Sequence, residues 1–295
     1  MKLGLALPQL GAEANPKTIV EFAQRAEELG FDSLWVLERL LRPLEPEQGP
    51  QLPSYYGNVY SPLETLTYVA AHTSKIRLGT SIIDALFHVP VALGRQLATL
   101  DQFSGGRLIV GLGQGWSAEE FATSNVPMRR RGAGFEEFIE ALRATWGTDP
   151  VSYEGRFYRI PKSEVGPKPV HPAGPEIIIA AMPGATASVE RAGRLGLGFN
   201  PAGIDWASLE QQIATFHQAS ENPGRIVVRA NGAVTADPID EDGRGVLAGS
   251  PEQLKGDLAK LQDLGVDEVF WDFVQGGVPY RTGLALLDDL SRLRT

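Results

Sequence analysis

The 295 residues contain no cysteine, which removes disulfides, thiolate zinc sites, iron–sulfur clusters and cysteine nucleophiles in one step. Histidine is nearly as scarce. The four present, His72, His88, His171 and His217, show no spacing to one another or to a carboxylate that builds a metal site, so no metal is expected. Basic residues fall short of acidic ones, 27 against 36, for a net charge of −9. Duplex binding needs a basic face, so no nucleic acid partner is expected. Long apolar runs are missing too. The opening Met1-Lys2-Leu3-Gly4-Leu5-Ala6-Leu7-Pro8 stops being apolar too early for a signal segment or a membrane span, and reads as a first buried strand. Cytoplasmic residence without membrane association is the expectation. There is no Gly-x-Ser-x-Gly elbow and no phosphate-binding Walker motif. Redox work by this chain would therefore require a borrowed organic cofactor.

What is present alternates. Short apolar runs at 3–7, 33–37, 76–83, 108–111, 176–180, 197–200, 226–234 and 268–273 read as strands. Between and after them, apolar residues at helical spacing mark helices at 16–29, 62–71, 89–100, 135–146, 185–195, 206–218, 251–264 and from Arg281 onward. Eight strand–helix units without a change of pattern imply parallel strands. They favour a closed (β/α)8 barrel over an open doubly wound sheet. The expected organisation is a single domain over 1–295 with insertions at about 39–60, rich in proline and tyrosine, and 147–175, which reads as a small hairpin.

In such a barrel the functional residues sit at the carboxyl ends of the strands. That rule selects Gln9, Glu38-Arg39, residues 81–84, residues 113–116, residues 182–186, Pro201, Asn231 and residues 272–275. Within Gly113-Gln114-Gly115-Trp116, glycine lets backbone approach a ligand and leaves N–H groups free, although the same glycines also serve a tight turn that packs Trp116. Met182-Pro183-Gly184-Ala185-Thr186 leads into a helix whose amino end suits a phosphate; the plainer reading is a helix start capped by Thr186 or Ser188. Of the histidines only His88, just past the third strand, can face a pocket. Arg129-Arg130-Arg131 is either a solvated run or an attractor for an anionic tail. Glu38 with Asp84 or Asp272 supplies the two carboxylates that a barrel glycosidase would need.

Several segments together resemble the luciferase-like monooxygenase and F420-dependent oxidoreductase superfamily over nearly the whole chain. They are Gly30-Phe31-Asp32-Ser33-Leu34-Trp35-Val36, Lys75-Ile76-Arg77-Leu78-Gly79-Thr80, Gln96-Leu97-Ala98-Thr99-Leu100-Asp101, and Ser104-Gly105-Gly106-Arg107-Leu108 running into Gly113-Gln114-Gly115-Trp116. The resemblance implies a barrel of the bacterial-luciferase type, a flavin-type cofactor, and a homodimer. It implies a bulge at the end of the third strand with a cis peptide between Ser81 and Ile82 behind the cofactor ring. It also places Asp84 near the pyrimidine edge, Gly113, Gln114, Gly115 and Trp116 against ring and chain, and Gly184, Ala185 and Thr186 around the phosphate. Gln9 and Met182 complete the expected cofactor set.

One departure stands out: relatives commonly carry Asp-His at the end of the second strand, and this chain has Glu38-Arg39. Arginine stays protonated and cannot be a general acid, but it can steady a developing alkoxide or a substrate anion. Glu38, Arg39 and His88 are accordingly the catalytic candidates, with Glu38 or His88 as base. Likeness to relatives with the Gly-Gln-Gly-Trp and Arg-Arg-Gly-Ala-Gly-Phe-Glu-Glu segments favours coenzyme F420 over FMN. The expectation is hydride transfer to or from a small or medium organic substrate, with Tyr55, Tyr56 and Tyr60 as pocket walls. The alternatives are an FMN-dependent monooxygenase and a non-catalytic flavin-binding barrel.

Overall fold

The computed structural model describes residues 1–47 and 49–293. Its strands are β1 (Lys2–Ala6), β2 (Ser33–Val36), β3 (Arg77–Thr80) with a short continuation β4 (Ile83–Asp84), β5 (Leu108–Gly113), β6 (Val151–Glu154), β7 (Arg159–Ser163), β8 (Glu176–Ala181), β9 (Gly198–Gly203), β10 (Val227–Ala230) and β11 (Glu268–Trp271). The helices are α1 (Pro16–Glu28), α2 (Pro62–Ala70), α3 (Pro90–Ser104), α4 (Ala118–Thr123), α5 (Ala133–Trp146), α6 (Thr186–Arg194), α7 (Trp206–Gln218), α8 (Pro251–Asp263) and α9 (Tyr280–Ser291). β1, β2, β3, β5, β8, β9, β10 and β11 each pair in parallel with the next, and β11 pairs with β1 through Leu5 and Trp271 to close the ring. This is the expected (β/α)8 barrel.

Local chemistry agrees with that topology at each end of an element. α1 opens with a capping box, in which Asn15 accepts from the Thr18 backbone N–H at 3.1 Å while its own N–H donates to the Thr18 hydroxyl at 3.2 Å. Pro16 follows at the first helical position, where a missing N–H costs nothing. α8 repeats the device with Ser250, Pro251 and Gln253.

The barrel interior is filled rather than hollow. Trp35, Ile109, Ile178, Val227 and Phe270 form an inward layer, with the Trp35 and Phe270 rings stacked at 4.8 Å. Gly79 on β3 makes room for the indole: a β-carbon there would lie 2.4 Å from Trp35 Cε3. Alternate residues of the same strands, such as Leu108, Val110 and Leu112, point outward into the much larger cluster beneath the helices.

Two strands and one helix depart from the sequence expectation near the carboxyl ends of the barrel. The strand expected over 76–83 is broken: β3 ends at Thr80, the Ser81–Ile82 peptide is cis as the resemblance implied, and pairing with β5 resumes at Ile83 and Asp84. The strand expected over 226–234 stops at Ala230, because its neighbour β11 ends there, with Asp272 N donating to Ala230 O at 2.8 Å. The chain then leaves the ring and meets itself again in a bridge between Val234 and Gly249. α4, capped by Ser117, lies in what reads from sequence as plain loop. The hairpin expected within 147–175 is present as antiparallel β6 and β7, whose Val151 and Ile160 pack with Ala141 of α5. Among the described residues no helix is long and apolar enough to cross a membrane.

Candidate active site

A cavity of about 550 Å³ opens at the carboxyl ends of the strands, within the size range of ligand clefts, roughly 300–1,000 Å³. Glu38 and Arg39 enter it from the end of β2, Ser81, Ile82 and Asp84 from the β3–β4 break, and Gly113 to Trp116 from the end of β5. Met182 and Ala185 close the side nearest α6, and Tyr56 and Leu52 come from the 39–60 insertion. A smaller hollow of about 280 Å³ between the β1–α1 and β11–α9 connections is mostly apolar, and the carboxylate of its Glu13 accepts the Tyr280 N–H at 3.0 Å. Its described lining brings no set of polar side chains together, so the larger cavity is the candidate site.

Arg39 is held there by an ion pair and two aromatic rings. Its Nη1 lies 2.7 Å from Glu120 Oε2, and the two side chains are 9% and 1% exposed. Glu120 Oε1 also accepts the Leu40 N–H at 2.8 Å, so α4 is tied to the end of β2. The guanidinium lies between two aromatic faces, 5.4 Å from the Tyr56 centroid and 5.0 Å from that of Trp116. Among the described residues its buried Nε finds no hydrogen-bond partner. Gly115 carries Trp116 into position with φ of +72°, and a β-carbon on it would lie 2.8 Å from Phe87 Cζ.

Beside this pair sits a cluster of carboxyls. Glu38 Oε2 accepts the Asp84 N–H at 2.8 Å, and His88 Nε2 lies 2.9 Å from Glu38 Oε1. Burial, reinforced by the charges of Glu38 and Glu120, pushes the Asp84 carboxyl up to about 7, against the pull of Arg39 and the Gly115 N–H. Burial also raises Glu120, although Arg39 opposes it. For His88 burial works downward, but the hydrogen bond to Glu38 and the charges of Glu38, Asp84 and Glu64 outweigh it and lift the imidazole above its ordinary value. Among the described residues no group of three or more histidines and carboxylates is placed to hold a metal ion.

Across the cavity, Arg229 of β10 donates to the Ser81 carbonyl at 3.0 Å and to Asp272 Oδ2 at 2.6 Å. Ser81 Oγ donates to Asn200 Oδ1 at 2.7 Å, so the β3–β4 break is held from β9 and β10. Gln114 spans two helices, giving Nε2 to Ser188 Oγ at 2.8 Å and receiving the Gly132 N–H at 2.6 Å.

The sequence model of the luciferase-like monooxygenase family matches residues 2–244. This chain belongs to that family. An uncharacterized protein of Mycobacterium tuberculosis is 36% identical over 166 residues, 54% of this chain and 59% of its own. The F420-dependent glucose-6-phosphate dehydrogenase of Amycolatopsis mediterranei is 32% identical over 190 residues, 62% of this chain and 53% of its own. The FMNH(2)-dependent dimethylsulfone monooxygenase of Pseudomonas putida is 28% identical over 233 residues, 72% of this chain and 63% of its own. The chain thus spans between half and two thirds of these curated relatives. In fold it is similar to a monooxygenase from Streptomyces bottropensis (TM-score 0.82, 23% identity, 100% of this chain and 98% of that one). It is likewise similar to the coenzyme F420 dependent tetrahydromethanopterin reductase of Methanopyrus kandleri (TM-score 0.77, 19% identity, 99% and 97%).

Within this luciferase-like barrel most of the expected site residues converge on one cavity, and four do not. Gln9 is 1% exposed and outside the cavity lining. Its amide donates to Leu37 O and Tyr60 O and accepts the Leu37 N–H, so it clamps β1 to β2 instead of facing a cofactor. His88, expected with Glu38 as a candidate base, is not among the residues lining the cavity; its Nε2 lies 2.9 Å from Glu38 Oε1. Gly184 and Thr186 also fall outside the lining, at the adjacent start of α6. Among the described residues no side chain caps that helix: Ser188 is turned toward Gln114 instead. Of the three tyrosines only Tyr56 lines this cavity; Tyr55 borders the smaller hollow. Asp272 is outside the cavity lining and bonds to Arg229 and Gln275. Arg229, Asn200 and Glu120 escape the sequence reading. Only Glu120 carries a local signal, the Ser117-Ala118-Glu119-Glu120 helix start.

Proposed function

We propose that this protein is an oxidoreductase that binds coenzyme F420 in the 550 Å³ cavity and transfers a hydride between it and a small or medium organic substrate. The observation that carries the reading is the donor set at the β3–β4 break: a carboxyl with pKa near 7 beside an apolar shelf made by Ile82. In its neutral form Asp84 can donate a hydrogen bond to the carbonyl edge of a planar heterocycle without repelling it. The residues therefore fit a deazaflavin ring, which Gly113 to Trp116, Met182 and Ala185 would help to hold. Similarity to F420-dependent relatives supports the same cofactor. When bound, that coenzyme supplies a carbon that gives or accepts hydride and resists reaction with oxygen.

The chain's own residues supply the rest. Arg39 is held by Glu120 and two aromatic faces, so its charge is oriented before substrate arrives and requires no reorganisation to meet a developing oxyanion. It cannot release a proton. Proton exchange falls to Glu38, the cavity carboxylate next to it. Leu52 and Tyr56 cover the substrate side, where they exclude water.

A second reading, an FMN-dependent monooxygenase, is favoured by the match to the dimethylsulfone monooxygenase, which extends over 72% of this chain. Titrating the purified protein with F420 and with FMN, following the fluorescence of Trp116 and the other tryptophans, separates the two. The expected result is binding of F420 at least tenfold tighter than FMN. The reverse order establishes the second reading, and binding of neither refutes both.

A further inference from the structure

We propose that Glu38 and His88 form a two-member proton relay through the barrel wall, Glu38 exchanging the proton with a substrate oxygen in the cavity and His88 exchanging it with solvent. The relay rests on the hydride-transfer reading above. Glu38 lines the cavity and His88 does not, yet Nε2 of His88 lies 2.9 Å and 3.1 Å from the two oxygens of Glu38. The Glu38 side chain is 8% exposed, whereas that of His88 is 26% exposed. One member thus faces the cleft and the other has access to water, with a single hydrogen-bonded step between them.

The chemistry needs such a path. Reduction of a ketone to a secondary alcohol adds one hydride to the carbonyl carbon and one proton to its oxygen, and the hydride is drawn from a reduced deazaflavin-class coenzyme. The pair holds one proton: the His88 imidazolium passes it to the Glu38 carboxylate as Glu38 hands it to the substrate oxygen, and His88 is then recharged from solvent. In the oxidative direction each transfer reverses. Arg39, held by Glu120, stands on the cavity side and fixes the substrate oxygen without taking part in proton transfer.

The groups facing the pair are Asp84 on β4, which gives its N–H to Glu38, Glu64 at the start of α2, Arg39 at the end of β2 and Glu120 on α4. Of these, Asp84 and Glu64 favour a protonated imidazole, as Glu38 itself does. The relay is therefore loaded on the acid side of the raised His88 pKa and emptied as pH rises through it.

The test reads the imidazole directly. In a pH titration of the ring C–H resonances of the four histidines, with His88 assigned through His88→Asn, His88 should titrate above the ordinary imidazole value. In Glu38→Gln, which keeps an acceptor for the Asp84 N–H, it should move down. An unshifted His88, or one indifferent to Glu38→Gln, overturns the relay.

The kinetic arm uses protein loaded with F420. His88→Asn and His88→Gln should bind the coenzyme as the wild type does. Both should lose about 10²-fold in kcat for carbonyl reduction, lose the alkaline limb of the pH profile, and recover part of the rate with added imidazole. Unchanged kcat and pH profile in both variants refute the relay while leaving hydride transfer standing. A wild-type protein that fails to bind F420 overturns the reading on which the relay rests.

Discussion

Removal of the Glu120 carboxylate tests how Arg39 is held. In Glu120→Ala the guanidinium keeps its two aromatic faces but loses its anion at 2.7 Å, in a side chain that is 9% exposed and whose Nε already lacks a partner among the described residues. The Leu40 N–H loses its acceptor as well. Breaking a buried pair from one side costs about 3–5 kcal/mol. The cavity beside Arg39 lets water relieve part of this, so the lower end, about 3 kcal/mol, is expected. For a chain of this size that lowers Tm by roughly 6 °C. Replacing both partners, Arg39→Met with Glu120→Met, leaves no charge to desolvate and should return stability to within about 1 kcal/mol of wild type. Urea denaturation followed by tryptophan fluorescence of wild type, Arg39→Met, Glu120→Met and the double variant gives all the values of the cycle. A Glu120→Ala protein within about 1 kcal/mol of wild type, or single losses that add to within ~0.5 kcal/mol in the double variant, would refute the view that the pair is buried and coupled.

Asp84 should make stability fall as pH rises. A carboxyl whose folded pKa is raised binds its proton more tightly in the native state, so its contribution is complete below the unfolded value of about 4 and is lost as pH passes through about 7. Because neighbouring carboxyls share the protons, a loss on the order of 2 kcal/mol is expected between these limits, and Asp84→Asn should flatten it; an unaltered slope in that variant contradicts the assignment. Any slope left above about pH 6.5 belongs to His88, whose raised pKa acts with the same sign. Gly79→Ala should cost about 1–3 kcal/mol in urea unfolding, because its β-carbon meets the Trp35 ring inside a packed layer. An unchanged midpoint would mean that the barrel interior yields more easily than its packing implies.

Much of this molecule is written in local pattern. Apolar runs of strand length, helical periodicity and proline or glycine at the boundaries are properties of a few consecutive residues, so eight βα units and a closed barrel could be read without coordinates. The barrel then points to strand ends, which brought Glu38, Arg39, Asp84 and residues 113–116 into view together, and family resemblance added the cis peptide at Ser81–Ile82. Partnership was not legible in the same way. Arg39 finds Glu120 across 81 residues, Ser81 finds Asn200 across 119, and Arg229 reaches the Ser81 carbonyl across 148; no periodicity encodes such pairs. Gln9 and His88 show the same boundary from the other side, since each lies near a strand end yet faces away from the cleft. Sequence alone determined which elements form and in what order, because those follow from short-range preference. Which side chains face one another across the rim, and therefore which charges are paired, buried or free to move a proton, was decided only when the ring closed.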